Sequence, residues 1–342
     1  MIVRETGGAT SPQSLSYEED YPKPTLVKGH AIIKNAYSGI NFIDTYHRSG
    51  LYPRKLPFIC GQEGGGMIES ISYDNDDSEK EQEFEVGDTV VYSSLETYSE
   101  YSLVPIQKLI YVPEGLDIRK AIACMVQGLT AHYLVSSAHA QLIQENEWCL
   151  IYSIGSGTCQ WAAQMAKIRG YKVIATCSKK KADQMSNNIG SYCDELIVLD
   201  EVEGKGYSNY YSVDIVERVM NITNGEGVKC IIDGVGKSTS DISLKCLARR
   251  GIFVSFGNAS GKVDDLSLLR LVGKSAYVTR PKLNDYISTR EELLQRINEV
   301  FEWVKQGRLE VCIDREFDLC DAVDGHKYIE AGKTRGKLLY KM

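Results

Sequence analysis

Residues 148–167 carry the feature that most restricts how this chain can fold. The apolar run Trp148-Cys149-Leu150-Ile151-Tyr152-Ser153 leads into Ile154-Gly155-Ser156-Gly157-Thr158-Cys159, and then into a segment from Gln160 to Lys167 whose composition favours a helix. A short apolar strand that turns on glycines into a helix is the opening of a β-α-β unit, and a second strand candidate follows at residues 172–176. Further apolar segments at 195–199, 228–233, 251–256 and 276–279 alternate with helical stretches. Parallel strands need crossover connections of this length, so the pattern predicts a doubly wound parallel sheet of six strands.

The same turn points to chemistry. Glycines that open a helix offer free backbone N–H groups and the positive end of the helix dipole to a pyrophosphate. A plain tight turn is the alternative, and the surrounding β-α-β spacing favours the nucleotide. An enzyme that takes NAD usually places Asp or Glu at the end of the next strand, against the ribose 2′-hydroxyl. Here that strand ends in Thr176-Cys177-Ser178 and runs into Lys179, Lys180 and Lys181. A hydroxyl followed by three cations favours an additional phosphate, hence NADPH; an exposed basic helix start is the competing reading.

A length of 342 residues fits about two domains. The first 120 residues read as strands and turns, with an alternating run at 31–37, a glycine-rich turn at 61–66 and a charged hairpin tip or insertion at 74–85. Residues 287–307 read as an amphipathic helix, and 311–342 as strand, helix and strand returning to the first domain. No Asp, Glu, Lys or Arg lies between Lys120 and Glu145, yet Gln127, His132, His139 and Gln144 make this a buried helix rather than a membrane span. The net charge of −7 gives no support for non-specific attraction to nucleic acid or anionic lipid. The start, Met1-Ile2-Val3-Arg4, lacks a basic segment leading into an apolar one, so no signal peptide is expected. Ten scattered cysteines show no zinc or redox spacing, which predicts reduced thiols and a cytoplasmic protein without a bound metal.

Several motifs together carry a resemblance. They are Gly39-Ile40-Asn41-Phe42-Ile43-Asp44-Thr45-Tyr46, continuing through Gly50-Leu51-Tyr52-Pro53; Gly61-Gln62-Glu63-Gly64-Gly65-Gly66; Val86-Gly87-Asp88; Gly128-Leu129-Thr130; Asp233-Gly234-Val235-Gly236; Val254-Ser255-Phe256-Gly257-Asn258; and Val278-Thr279-Arg280-Pro281. Over nearly its whole length the chain resembles the zinc-free NADPH:quinone oxidoreductases (zeta-crystallin type) of the medium-chain dehydrogenase/reductase superfamily. The resemblance implies an α/β protein: a GroES-like β-rich catalytic domain at 1–124, completed by 286–342, and a Rossmann doubly wound parallel-sheet domain at 125–285, with NADPH in the cleft between them. Asn41 and Gln62 stand where zinc-dependent relatives carry a metal-binding cysteine and histidine, which argues against catalytic zinc.

By the same resemblance, Asn41, Asp44, Tyr46 and Tyr52 are the catalytic candidates, with the two tyrosines as flat walls for a planar acceptor. Cofactor contacts fall on Asn41, Phe42, Tyr46, Tyr133, Gly157, Thr158, Ser178, Lys179, Lys181, Val235, Phe256, Gly257, Asn258 and Arg280. The expected activity is NADPH-dependent reduction of small quinones. The alternatives are reduction of an alkenal or enone double bond, or a crystallin-like or RNA-binding protein with weakened cofactor use. Pairing of the 276–279 strand across a two-fold axis implies a homodimer. The chain also departs from the family: Ser156 and Cys159 replace glycines of the turn, and Ala182, Leu199 and Gly332 stand where relatives contact the adenosine phosphate. Lys181 and Lys333 are neighbours able to substitute. His47 has a credible place near the cleft, Cys159 reads as a packing cysteine, and the tyrosine-rich 204–211 segment has no reading.

Overall fold

The computed structural model describes residues 1–6, 14–74, 83–185, 189–202 and 208–342. Most of the charged 74–85 segment, and Tyr207, lie outside them. The chain forms two compact units, one of residues 1–126, 289–305 and 311–342, the other of 127–288 and 306–310.

The first unit opens with β1 (Ile2–Val3), β2 (Leu15–Ser16), β3 (His30–Ile40), α1 (Phe42–Ser49), β4 (Phe58–Ile59), β5 (Gly64–Ser72), β6 (Thr89–Tyr92), β7 (Tyr101–Pro105), β8 (Leu109–Tyr111) and α2 (Ile118–Ala123). The second unit holds α3 (Leu129–Ser136), β9 (Trp148–Ile151), α4 (Gly157–Ile168), β10 (Lys172–Ser178), α5 (Lys179–Met185), α6 (Ile189–Tyr192), β11 (Glu195–Leu199), α7 (Ile215–Ile222), β12 (Val228–Asp233), α8 (Ser240–Cys246), β13 (Leu247–Ser255) and β14 (Tyr277–Thr279). The chain then returns to the first unit with α9 (Arg290–Lys305), β15 (Ile313–Asp318), α10 (Ala322–Glu330) and β16 (Lys337–Lys341).

The second unit's six strands run parallel in the order β11-β10-β9-β12-β13-β14. This is the doubly wound order that reverses direction beside its first strand, β9. Leu150, Ile174, Ile231 and Phe253 are fully buried within it, as expected for strands covered on both faces. The first unit is built on a mainly antiparallel seven-stranded sheet, β15-β16-β3-β5-β6-β8, with β7 also paired to β3. A small β2-β1-β4 sheet accompanies it. The long central strand β3 buries Ala31, Ile33 and Ile40, and β16 pairs with its end, Leu338 opposite Ile40.

Three local readings change. Residues 64–66 are not a turn but the start of β5, where a Cβ on Gly66 would lie 1.9 Å from the Lys34 carbonyl oxygen; the glycines serve close strand approach. Residues 306–310 pack with the second unit, since the Glu310 N–H donates to Gln164 Oε1 at 2.8 Å and Tyr192 OH donates to Glu310 Oε2 at 2.8 Å. The uncharged stretch after Lys120 becomes α2, a π-helical turn over Cys124–Gly128, and α3. Among the described residues no helix is long and apolar enough to cross a membrane.

Candidate active site

In the first unit, the candidate residues are gathered by α1. Asn41 caps this helix in a reciprocal box with Asp44, whose Oδ2 accepts the Asn41 backbone N–H at 2.8 Å. Asn41 is 5% exposed, and both ends of its amide are held: Nδ2 donates to Glu63 Oε1 at 2.7 Å, and Oδ1 accepts from Lys337 Nζ at 3.1 Å. Along the same helix Phe42 lies 6.4 Å from Tyr46, and Tyr46 meets the Tyr52 ring edge-on at 5.3 Å. The Tyr52 N–H donates to the Tyr46 carbonyl at 3.1 Å, and His47 Nδ1 is 3.1 Å from the Tyr52 carbonyl, so His47 braces the turn that presents Tyr52. Burial lowers the His47 pKa below the ordinary range.

Asp44, expected among the catalytic residues, lies in the interior of the first unit. It is fully buried, Tyr98 OH donates to its Oδ2 at 2.9 Å, and its Oδ1 has no partner among the described residues. Burial raises its pKa from 3.8 to about 7 against the pull of those hydrogen bonds. Below it, fully buried Arg48 donates to His326 Nδ1 at 2.8 Å and to Glu330 Oε1 at 2.5 Å, tying α1 to α10. Burial and the neighbouring guanidinium drive the His326 pKa down to about 3, so the ring is neutral and accepts from Arg48. Nothing in the sequence pairs Arg48 with a histidine 278 residues away.

In the second unit, the expected cofactor contacts all come from segments at or beyond the C-terminal ends of strands, except Tyr133 on α3. Gly157 opens the 12-residue α4, and its cap Ser156 makes no side-chain capping bond, which leaves the first-turn N–H groups available to an anion. The two turn glycines are filled by neighbours. A Cβ on Gly155 would stand 2.5 Å from Lys181 Cδ, and one on Gly157 would stand 2.3 Å from Gln127 Nε2. Lys181 therefore lies across the turn, whereas Lys179 beside it is exposed and Ser178 is buried. Gln127, 7% exposed, carries an Oε1 without a partner among the described residues. Buried Cys159 is a packing residue whose thiol is pushed up to about 12 by burial. Ser153, at φ 57°, shares a 2.5 Å hydrogen bond with Tyr210 OH, so Tyr210 braces the approach to the turn.

The loops after β12 and β13 interlock. Asp233 Oδ1 accepts the Val235 and Gly236 N–H groups at 2.7 and 3.1 Å, fixing Val235 in a buried position. A Cβ on Gly257 would stand 2.3 Å from the Gly234 carbonyl oxygen, so that glycine is needed for loop-to-loop contact, with half-buried Phe256 against Gly234 and Asn258 next in line. Arg280 Nη1 donates to the Gly257 carbonyl and Ser255 Oγ, each at 3.0 Å, and thereby anchors this loop. Tyr133 is 2% exposed, its ring stacked on Tyr286 at 4.4 Å, which leaves that face closed to a ligand. Thr158 is half-buried on the first turn of α4.

Residues 27–144 match the alcohol dehydrogenase GroES-like domain, and residues 205–339 match the zinc-binding dehydrogenase family. The chain is 34% identical to a quinone oxidoreductase of Pseudomonas aeruginosa, covering 96% of this chain and 95% of that protein. It is 37% identical to a quinone oxidoreductase of Salmonella typhimurium over 90% of this chain and 89% of that one. The solved structure of Escherichia coli quinone oxidoreductase complexed with NADPH matches with a TM-score of 0.86 and 33% identity, covering 100% of this chain and 99% of that one. The residues here do not fit the zinc that the second family's name implies. Asn41 faces an ammonium, and among the described residues no three His, Cys, Asp or Glu side chains are grouped to hold a metal.

Proposed function

The chain belongs to the quinone oxidoreductase family, and from that premise we propose that it reduces small planar quinones with NADPH, without a metal. The observation that carries the NADPH reading is Lys181, just past the end of β10, lying across Gly155, while Ser178 rather than an acidic residue closes that strand where a ribose 2′-hydroxyl would be engaged. The N–H groups opening α4 and the Gln127 amide suit the diphosphate and its ribose hydroxyls, with Lys181, Ser178 and Lys179 toward the extra phosphate. The Phe256-Gly257-Asn258 loop, held by Arg280, supplies the contacts at the nicotinamide end. When bound, NADPH supplies the hydride.

The first unit then has a positioning task, because a quinone leaves a delocalised, weakly basic oxygen that needs no Lewis acid. Tyr46 and Tyr52 offer a flat aromatic wall, and Asn41 an amide donor for the acceptor's carbonyl oxygen. Asp44 holds the start of α1 and acts by position. The one proton that, with the hydride, completes the dihydroquinone comes from water. Titration of the purified protein with NADPH and with NADH, followed by oxidation of each with 1,4-benzoquinone, tests the reading: tight NADPH binding with quinone-dependent oxidation supports it, and no binding of either nucleotide overturns it. An enone in place of the quinone separates double-bond reduction.

The protein is read as a homodimer. β14 is the outer strand of its sheet, and beside it Leu268, Leu269 and Val272 are 77%, 81% and 69% exposed, an apolar surface that a second copy would cover. A cytoplasmic site is supported by ten free cysteines, eight of them buried.

A further inference from the structure

The first unit contains an ion pair that the reaction as described does not use. Glu63 and Lys337 are both fully buried, and Lys337 Nζ donates to Glu63 Oε1. The ammonium also donates to Asn41 Oδ1 at 3.1 Å and to the Ile40 carbonyl at 3.4 Å. Glu63 in turn accepts from Asn41 Nδ2 at 2.7 Å through Oε1 and from the Val126 N–H at 2.6 Å through Oε2. The arrangement needs a glycine at position 39, where a Cβ would stand 2.2 Å from Glu63 Oε1. Two charges have thus been taken out of water, and the one neutral side chain they share is Asn41.

An amide has chemically different ends. A lysine ammonium only donates, so it faces Oδ1; an ionised glutamate only accepts, so it faces Nδ2. Rotating the Asn41 amide by half a turn would set the ammonium against an NH₂ group and the carboxylate against an oxygen. The pair therefore permits one orientation. It commits one of the two Nδ2 hydrogens to Glu63, and the cation on Oδ1 strengthens the remaining N–H as a donor. Resting on the quinone reductase reading, we propose that Glu63 and Lys337 are positioning residues that lock the Asn41 amide, so that its second N–H is a fixed donor to the carbonyl oxygen of the acceptor. A built-in ammonium thereby organises the very side chain that stands at a metal-ligand position in zinc-dependent relatives.

The test compares the wild type with Glu63→Gln, Lys337→Met and the double variant. Each single change strands a buried charge and lowers the melting temperature. The double variant removes both charges and is expected to regain a wild-type circular dichroism spectrum and to bind NADPH within about twofold of the wild type. Its kcat for 1,4-benzoquinone falls about tenfold with little change in KM, the signature of a contact made in the transition state. A folded double variant with wild-type kcat overturns the proposal, because a merely structural pair would be fully replaced. A second readout needs neither turnover nor a folded double variant. In wild-type protein labelled with ¹⁵N-asparagine, one proton signal of the Asn41 side-chain pair, assigned by its loss in Asn41→Asp, lies well downfield of the free asparagine amide range because that N–H is donated to a carboxylate. A pair at free-amide shifts overturns the lock, whereas absence of quinone reduction in a protein with a locked amide counts against the functional reading alone.

Discussion

Asp44 makes the stability of this protein depend on pH in a direction opposite to that of an ordinary ion-paired carboxylate. Its pKa is raised from 3.8 to about 7 by complete burial. Between those values the folded chain holds a proton that the unfolded chain has released, so stability falls as pH rises through this window and is lowest above pH 7. From pH 5 to pH 8 the loss from this group alone is roughly 3 kcal/mol at 1.4 kcal/mol per pH unit. Asp44→Asn keeps an oxygen to accept from the Asn41 N–H and Tyr98 OH and has no charge to desolvate, so its stability lacks this slope. Urea midpoints followed by tryptophan fluorescence at pH 5, 6, 7 and 8 give the comparison. The variant gains on the wild type progressively and is the more stable at pH 8. Parallel pH profiles for the two proteins refute the assignment of a buried, late-ionising carboxyl.

His326 acts at the other end of the scale: its pKa is lowered to about 3, so the unfolded chain takes up a proton that the folded chain refuses, and stability falls as pH drops from 6.5 toward 3; the difference in urea midpoint between wild type and His326→Gln narrows over that range. Lys181→Ala removes a charge-assisted phosphate contact and weakens NADPH binding by about 2 kcal/mol, roughly thirtyfold, while leaving NADH nearly unchanged in the same fluorescence titration. Tyr210→Phe deletes the hydroxyl bonded to Ser153, costing about 1 kcal/mol of stability and raising the NADPH Kd several-fold, as melting and titration would record. The proposed dimer is tested by Leu269→Glu, which places a charge on the apolar surface beside β14: sedimentation velocity is expected to show a dimer for the wild type and a monomer for the variant, and a monomeric wild type refutes the reading.

Much of the fold was legible because its signals are local. The strand-turn-helix at 148–167 and the apolar segments after it each announce themselves within a dozen residues, and the observed order of strands is the one such units adopt. The aromatic face was legible too, since Phe42, Tyr46 and Tyr52 occupy one short helix and the turn after it. What stayed hidden depends on separation along the chain. Asn41 meets Lys337 across 296 residues, and Arg48 meets His326 across 278. A lysine beginning the run Lys337-Leu338-Leu339-Tyr340 is the one sequence hint, because a cation that opens a strand buried through Tyr340 must find an anion inside.

The glycines show that one residue type can meet a second demand that the sequence does not announce. Gly157 and Gly257 stand out in sequence as places where a backbone can come close to a nucleotide, yet a side chain at the first would strike the Gln127 amide and at the second the Gly234 carbonyl. Both therefore serve close packing within the second unit. The same logic explains how Ser156 and Cys159 are tolerated in the turn. Ser156 is the cap of α4, where its small side chain makes no capping bond and leaves the first-turn N–H groups open, and Cys159 lies in the core as a small apolar group. Close approach is demanded at Gly155 and Gly157, where Lys181 and Gln127 lie against the main chain, and those two positions are the ones that kept glycine.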